Sequence, residues 1–251
     1  MKSLDYIYED DDIIVCHKPA GMATEGAGPG KMDLVSNVRN YLTRKNRQNG
    51  DRKPAYVGTV YRLDQPVEGV VVVAKNKKAA SSLAQQIKNH TTDKYYYALC
   101  FGSVESKKGH VENYLIRRED SGLADIISES EKDTLDNGTI IKEDCGKVRL
   151  INGEVKKAVL DYEVISEDEQ KTLLNIKLLT GRFHQIRVQM AELGHPILGD
   201  SKYGNEESIR FSKENGIKNV CLACYKFGFK HPGTGKKVSF EITPEFVNND
   251  K

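Results

Sequence analysis

The chain has 251 residues, 38% hydrophobic and 29% charged, with 38 Lys/Arg against 36 Asp/Glu. That length supports a full core without disulfide staples, and the longest apolar run, Val70 to Ala74, excludes a helical membrane span of roughly 20 residues. Five cysteines, an odd number without framework spacing, and an N-terminus lacking an apolar signal core lead us to expect a reducing, cytoplasmic setting.

In chain order, "YEDDDIIVCHKPAG" reads as a strand over Ile13 to His17, stopped by Pro19-Ala20-Gly21. The loop "EGAGPGKMD" fails as a phosphate-binding loop, because Lys31 is followed by Met32 rather than Ser or Thr. Leu34, Val38, Tyr41 and Leu42 fall at i, i+4, i+7 and i+8, an amphipathic helix with its basic residues largely off that stripe. "GTVYRLDQPVEGVVVVAK" then sets two β-branched runs on either side of Arg62, Asp64 and Pro66. "NKKAASSLAQQIKNH" predicts a second helix facing inward through Ala80, Leu83, Ala84 and Ile87. "DKYYYALCFGSV" is a strand closed by Gly102.

From Glu105 to Gly153 the pattern weakens into an acidic, serine-rich excursion with little expected core. "KKAVLDYEVI" and "KTLLNIKLL" form a hairpin. "TGRFHQIRVQMAELG" predicts a third helix striped by Ile186, Met190 and Leu193 and ended by Gly194. "CLACYKFGF" and "KKVSFEI" make a second hairpin; Cys221 and Cys224 have no second ligand pair, so the CxxC reads as strand rather than zinc half-site. Hairpins with a few interspersed helices imply an α+β fold with a mainly antiparallel sheet. With no linker or repeat, residues 1–251 read as one domain.

Charge is segregated. Residues 31–53 hold seven Lys/Arg, Arg44 and Lys45 among them, against two acids, whereas 119–136 hold seven acids and one lysine. Such a split suits one face for a phosphate backbone, and equally suits two solvated surfaces.

Three places set charged groups beside apolar ones. Arg62 and Asp64 are two apart, so in extended chain both face one way. Tyr95, Tyr96 and Tyr97 stand in a strand. Arg182 precedes a helix on which His184 and Arg187 are one turn apart. An arginine paired with Asp64 would keep the carboxylate ionised in a dry site. Each also has an ordinary reading: Asp64 as a turn residue, Arg182 as surface, the tyrosines as β-formers, His184 as a structural histidine.

Together the segments resemble the RluA-type pseudouridine synthases along nearly the whole chain. "HKPAG" matches the family's Lys-Pro-x-Gly. "YRLDQPVEGVVVVAK" resembles His-Arg-Leu-Asp, two residues, Thr-Ser-Gly and an apolar strand. "KYYYALCFG" matches Lys-x-Tyr-x-Ala-x-x-x-Gly, and "TGRFHQIRVQMAELGHPILGDSKYG" matches Thr-Gly-Arg-x-His-Gln-Ile-Arg and its long continuation. The resemblance implies the pseudouridine synthase fold, with a central RNA-binding cleft. It implies conversion of a uridine in RNA to pseudouridine, with no cofactor and no metal. Asp64 would be the catalytic carboxylate and Arg182 its partner. Tyr96 would pack on the target base, and Arg62 would help displace the uridine from its stack, with His184, Arg187, Arg44 and Lys45 binding RNA. Flipping favours an unstacked uridine in structured RNA, ribosomal RNA in preference to tRNA. We expect a monomer with no membrane partner.

The departures are Tyr61 for the family histidine, Val67-Glu68 for Thr-Ser, and Leu222-Ala223-Cys224 for Leu-His-Ala. Glu68 brings a negative charge near Asp64, and we expect it to face away. The altered flanks leave open a non-catalytic RNA-binding or assembly protein on the same fold. A hydrolase using Asp64 is the third reading.

Overall fold

The computed structural model describes residues 4–118, 121–133, 139–144, 147–152 and 154–248. In chain order its elements begin with β1 (Asp5–Glu9), β2 (Ile13–Lys18), α1 (Leu34–Gln48), β3 (Gly58–Thr59), β4 (Glu68–Ala74), α2 (Lys77–Lys88) and β5 (Asp93–Phe101). They continue with β6 (Lys108–Arg117), β7 (Ala124–Ile127), α3 (Glu129–Asp133), β8 (Thr139–Asp144), β9 (Lys147–Asn152), β10 (Lys156–Glu167) and β11 (Lys171–Leu178). The chain closes with α4 (Gln185–Glu192), α5 (Glu206–Glu214), β12 (Leu222–Lys230), β13 (Lys237–Glu241) and α6 (Glu245–Asn248). Strands with interspersed helices make the α+β class, and nearly all pairings are antiparallel. No helix among the described residues is long and apolar enough to cross a membrane.

Two compact units divide the chain: Met1–Tyr97 with Leu222–Lys251, and Ala98–Cys221. In the first, β4 lies between β2, antiparallel, and β12, parallel. All seven β4 residues are buried, as an unbroken Val70–Val73 run in a central strand demands. Ile13, Val15, Val70, Val72, Phe227 and Phe229 form the core, sealed by Ala79 and Leu83 of α2. The inward face of α2 is rotated from the expectation: Ala79 is buried with Leu83, Ala80 packs beside them and Ala84 is exposed, while Asn76 caps the helix by accepting Ala79 N–H. Gly69 is required where β4 meets β12. Its φ is +150°, and a Cβ there would stand 2.7 Å from the Cys224 carbonyl oxygen.

In the second unit β10 lies between β11 and β6, with β7 beyond β6. Here the weak-pattern reading of 105–153 is corrected. β6 and β7 carry core residues Leu115, Ile116, Ala124 and Ile127. Their local signal is faint because pairing with β10, from Lys156↔Leu115 to Glu163↔Lys108, makes β6 a strand. Some of the acidity is also absorbed: Asp125 pairs with Arg118, and Glu131 caps Ser128. Glu119, Asp120, Asp136 and Cys145 lie outside the described residues.

Helix α4 starts later than "TGRFHQIR" suggests. His184 adopts a left-handed conformation, φ +53°, so Gly181 to Phe183 precede the helix. Every residue from Gln185 to Met190 is buried, which leaves Leu193, expected inside, exposed at its end. Arg187, read from sequence as an RNA contact, is only 3% exposed and forms a double hydrogen bond to Asp200, at 2.6 and 2.8 Å. Asp200 also accepts the Lys202 and Tyr203 N–H groups. This corrects the surface role for Arg187, which with Asp200 is a buried structural tie within the long motif string. Arg187→Ala would strand the Asp200 carboxylate and cost about 3–5 kcal/mol in denaturant unfolding; a loss below about 1 kcal/mol would show that the pair is not a structural tie.

Candidate active site

The loop that presents Asp64 is fastened from both sides. Thr24 Oγ donates to Leu63 O at 2.8 Å and accepts Leu63 N–H at 3.2 Å. Gly21 N–H donates to Gln65 O at 2.9 Å, and Val67 N–H closes the turn on Asp64 O at 3.0 Å. Lys18, at the end of β2 and fully buried, donates to the carbonyls of Met22 at 2.7 Å and of Pro19 and Gln65 at 3.2 Å. Burial lowers its pKa to about 8, opposed by the negative charges of Asp64 and Glu68. Buried carbonyls suit an ammonium donor that water cannot reach. The role of this lysine was missed in the sequence, where it stood only as a motif letter.

Arg62 and Asp64 differ in exposure. Arg62 is exposed and reaches Glu25 at 3.2 Å, a surface pair that contributes little. Asp64 is half-buried, within electrostatic reach of Lys18 and Tyr96. Tyr96 is 6% exposed, and its phenol is hydrogen-bonded to Cys224. Burial first, then Cys224, Tyr61 and Asp64, push its pKa well above the usual tyrosine value, so it stays protonated at neutral pH. The Cys224 thiol is itself pushed up to about 12 by burial and is inert as a nucleophile.

Tyr61, in the family histidine's place, has a structural task. Its hydroxyl donates to Val70 O at 2.6 Å and accepts Val72 N–H at 3.3 Å, so it pins the approach to Asp64 onto β4. Its ring packs on Phe227, and the Lys94 ammonium sits 5.2 Å from the ring centre. Burial lowers the Lys94 pKa. Glu68 is buried with its carboxylate engaged by His17 Nε2 at 2.7 Å and by the Glu245 N–H at 3.2 Å. Its charge is thus tied to the C-terminal helix α6, though still felt at Lys18.

Arg182 and His184 belong to the second unit. Arg182 Nε donates to Lys157 O at 2.9 Å. His184 is buried, stacked on Phe183 with ring centres 3.8 Å apart, and its Nδ1 meets Tyr203 Oη at 2.8 Å. That is a positioning histidine rather than a surface contact. Arg44 and Lys45 are exposed on α1, with Lys45 held by Glu9 at 3.0 Å. Cys221 and Cys224 are both buried, Cys224 within β12 and Cys221 just ahead of it.

The chemistry on hand in the first unit is a carboxylate near a protonated phenol and a buried ammonium. Such a set can attack or deprotonate a substrate and pack on a planar ring. The family described as RNA pseudouridylate synthase matches residues 12–192. An uncharacterized RNA pseudouridine synthase, YlyB, of Bacillus subtilis is 33% identical over 95% of this chain and 68% of its own. Ribosomal large subunit pseudouridine synthase C of Rickettsia felis is 32% identical over 97% of this chain and 70% of its own. Dual-specificity RNA pseudouridine synthase RluA of Vibrio parahaemolyticus is 30% identical over 91% and 78%. Human RNA pseudouridylate synthase domain containing 1 shares the fold, with TM-score 0.73 at 20% identity, covering 99% of this chain and 86% of that one.

Lys18 makes a prediction about pH. Its folded pKa of about 8 lies below the unfolded value of 10.5, so between them the unfolded chain binds more protons. Stability contributed at this site therefore rises as pH increases from about 8 to 10.5. Denaturant unfolding of the wild type against Lys18→Met should show the difference growing by up to about 2 kcal/mol between pH 7.5 and 9.5. A constant difference would mean that Lys18 is not desolvated in solution.

Proposed function

The chain belongs to the RluA-type RNA pseudouridine synthases and is an isomerase acting on uridine in RNA; from that premise we propose that Asp64 is its catalytic carboxylate. The observation that carries this is Asp64's position in a multiply fastened loop, near the protonated Tyr96 phenol and the buried Lys18 ammonium. In the reaction the N1–C1′ bond breaks, the uracil turns while held, and C5 bonds to C1′. N1 gains a proton and C5 loses one, so mass is unchanged. Asp64 acts on the sugar, by attack or by taking its 2′ proton. Arg182 is assigned to the catalytic set on the family motif, a guanidinium being suited to hold a carboxylate in its charged form. Tyr96, protonated, suits packing on the base better than removing its C5 proton.

Arg62 is our candidate for the group that fills the vacated stack, since it is exposed and its pair with Glu25 is a weak surface one. We place His184 and Arg187 behind the RNA surface, and Arg44 and Lys45 on it. The substrate is structured RNA with an unstacked uridine, ribosomal RNA ahead of tRNA. A monomer in the cytoplasm is the simplest setting.

Purified protein on unmodified transcripts tests the assignment. Asp64→Asn should abolish isomerisation while RNA affinity stays within a few-fold; turnover comparable to wild type would remove Asp64 from the role. For the basic arm, Arg44→Ala should lower the slope of log affinity against log salt by about one. Arg44→Ala with Lys45→Ala should lower it by at most about two, since Lys45 already has Glu9. An unchanged slope would return α1 to plain solvated surface.

A further inference from the structure

Within the second unit a concavity of about 510 Å³ opens beside Arg182. That size is in the range of roughly 300–1,000 Å³ typical of small-ligand pockets. Its floor is apolar, made by Leu115 and Ala124, and one wall is the ring of Phe183. Its rim is cationic. The Arg117 guanidinium lies 4.5 Å from the centre of the Phe183 ring, and Arg182 and Lys156 border the same space. Lys156 is balanced by Glu154 at 2.7 Å. Arg117 is exposed, and no carboxylate among the described residues is within ion-pair distance of it. Phe183 is backed by His184, itself fixed by Tyr203, so the ring is braced from behind. Phe183 fills the position that the motif Thr-Gly-Arg-x-His leaves free, so nothing in the shared motif requires an aromatic there.

We propose that this pocket holds one unpaired nucleotide of the RNA substrate, its base stacked on the outer plane of the Arg117 guanidinium, which is itself layered on the Phe183 ring, and its phosphate met by the cationic rim. RNA is the occupant that matches both features at once: a polyanion for the cationic rim, and a planar base for a guanidinium held flat by an aromatic ring. Proteins read single-stranded RNA by stacking unpaired bases on aromatic rings and guanidinium planes. A base within a helix has both faces covered by its neighbours and could not stack on the guanidinium. The inference rests on the synthase reading, which supplies the RNA substrate; it adds recognition of a second nucleotide besides the target.

The test uses the full chain with two fluorescent ten-nucleotide RNAs, one oligouridine and one abasic with the same phosphates, measured by anisotropy. Wild type should prefer the base-bearing RNA. Phe183→Leu keeps apolar bulk without a stacking face. It should lose at least about fivefold on oligouridine, with abasic binding unchanged and the melting temperature close to wild type; Phe183→Tyr should retain the preference. Arg117→Ala should weaken both RNAs. Equal binding of the two RNAs by wild type, or a Phe183→Leu variant indistinguishable from it, would overturn the proposal. Displacement by millimolar uridine monophosphate would make the site one for a free nucleotide and overturn it as an RNA subsite. The two readings fail separately. Isomerisation without the Phe183-dependent preference removes the pocket alone. The preference without isomerisation, also seen in Asp64→Asn, removes the synthase reading alone.

Discussion

The Lys18 ammonium, sealed from water, gives its hydrogen bonds to the carbonyls of Pro19, Met22 and Gln65. Those carbonyls belong to two loops, one of which carries Asp64, and Thr24 with Leu63 and Gly21 with Gln65 join the same two loops. Burying an ammonium is unfavourable, and here three acceptors and two nearby carboxylates offset that cost. An apolar side chain would leave the carbonyls unsatisfied. The loop carrying Asp64 is therefore held by electrostatics at its back, with Thr24 and Tyr61 adding hydrogen bonds along the same segment.

The departures from the family pattern make sense against that arrangement. Tyr61 replaces an imidazole with a phenol that both donates to and accepts from the backbone of β4. Glu68 adds a charge close to the site, yet His17 and the Glu245 amide engage it, and α6 is fastened in return. In the second unit the shared motif does a different kind of work. Arg187, Asp200, His184 and Tyr203 form a buried polar joint, and Gly199 is needed because a Cβ there would run into the Asn219 carbonyl. Arg182 and Phe183 stand just ahead of this joint, so its rigidity is what holds them in place.

Much of this was legible in the sequence, and the reasons are specific. Val70–Val73, the two hairpins and the α1 stripe announce themselves through periodicity, and the motif strings identify Asp64, Tyr96 and Arg182 as the residues to examine. The strand β6 was hidden because "KGHVENYLIR" has few apolar residues and owes its form to β10. Helix α5 was hidden for a similar reason, since only Ser208 and Ser212 of its residues are buried. Arg187 was misread because i,i+3 spacing says which residues are neighbours on a helix and nothing about whether that face is buried. Its partner, Asp200, is 13 residues away. Lys18 looked like any strand-end lysine. Its burial depends on the loops of residues 19–22 and 65 folding over it, a tertiary fact without a local signature.

The central claim is that this chain, through Asp64, makes pseudouridine in cellular RNA. The most direct measurement is pseudouridine mapping of total RNA, by carbodiimide labelling and primer extension, from cells with and without the gene. The account predicts that one or a few marks disappear and that wild type restores them whereas Asp64→Asn does not. Restoration by Asp64→Asn would contradict it.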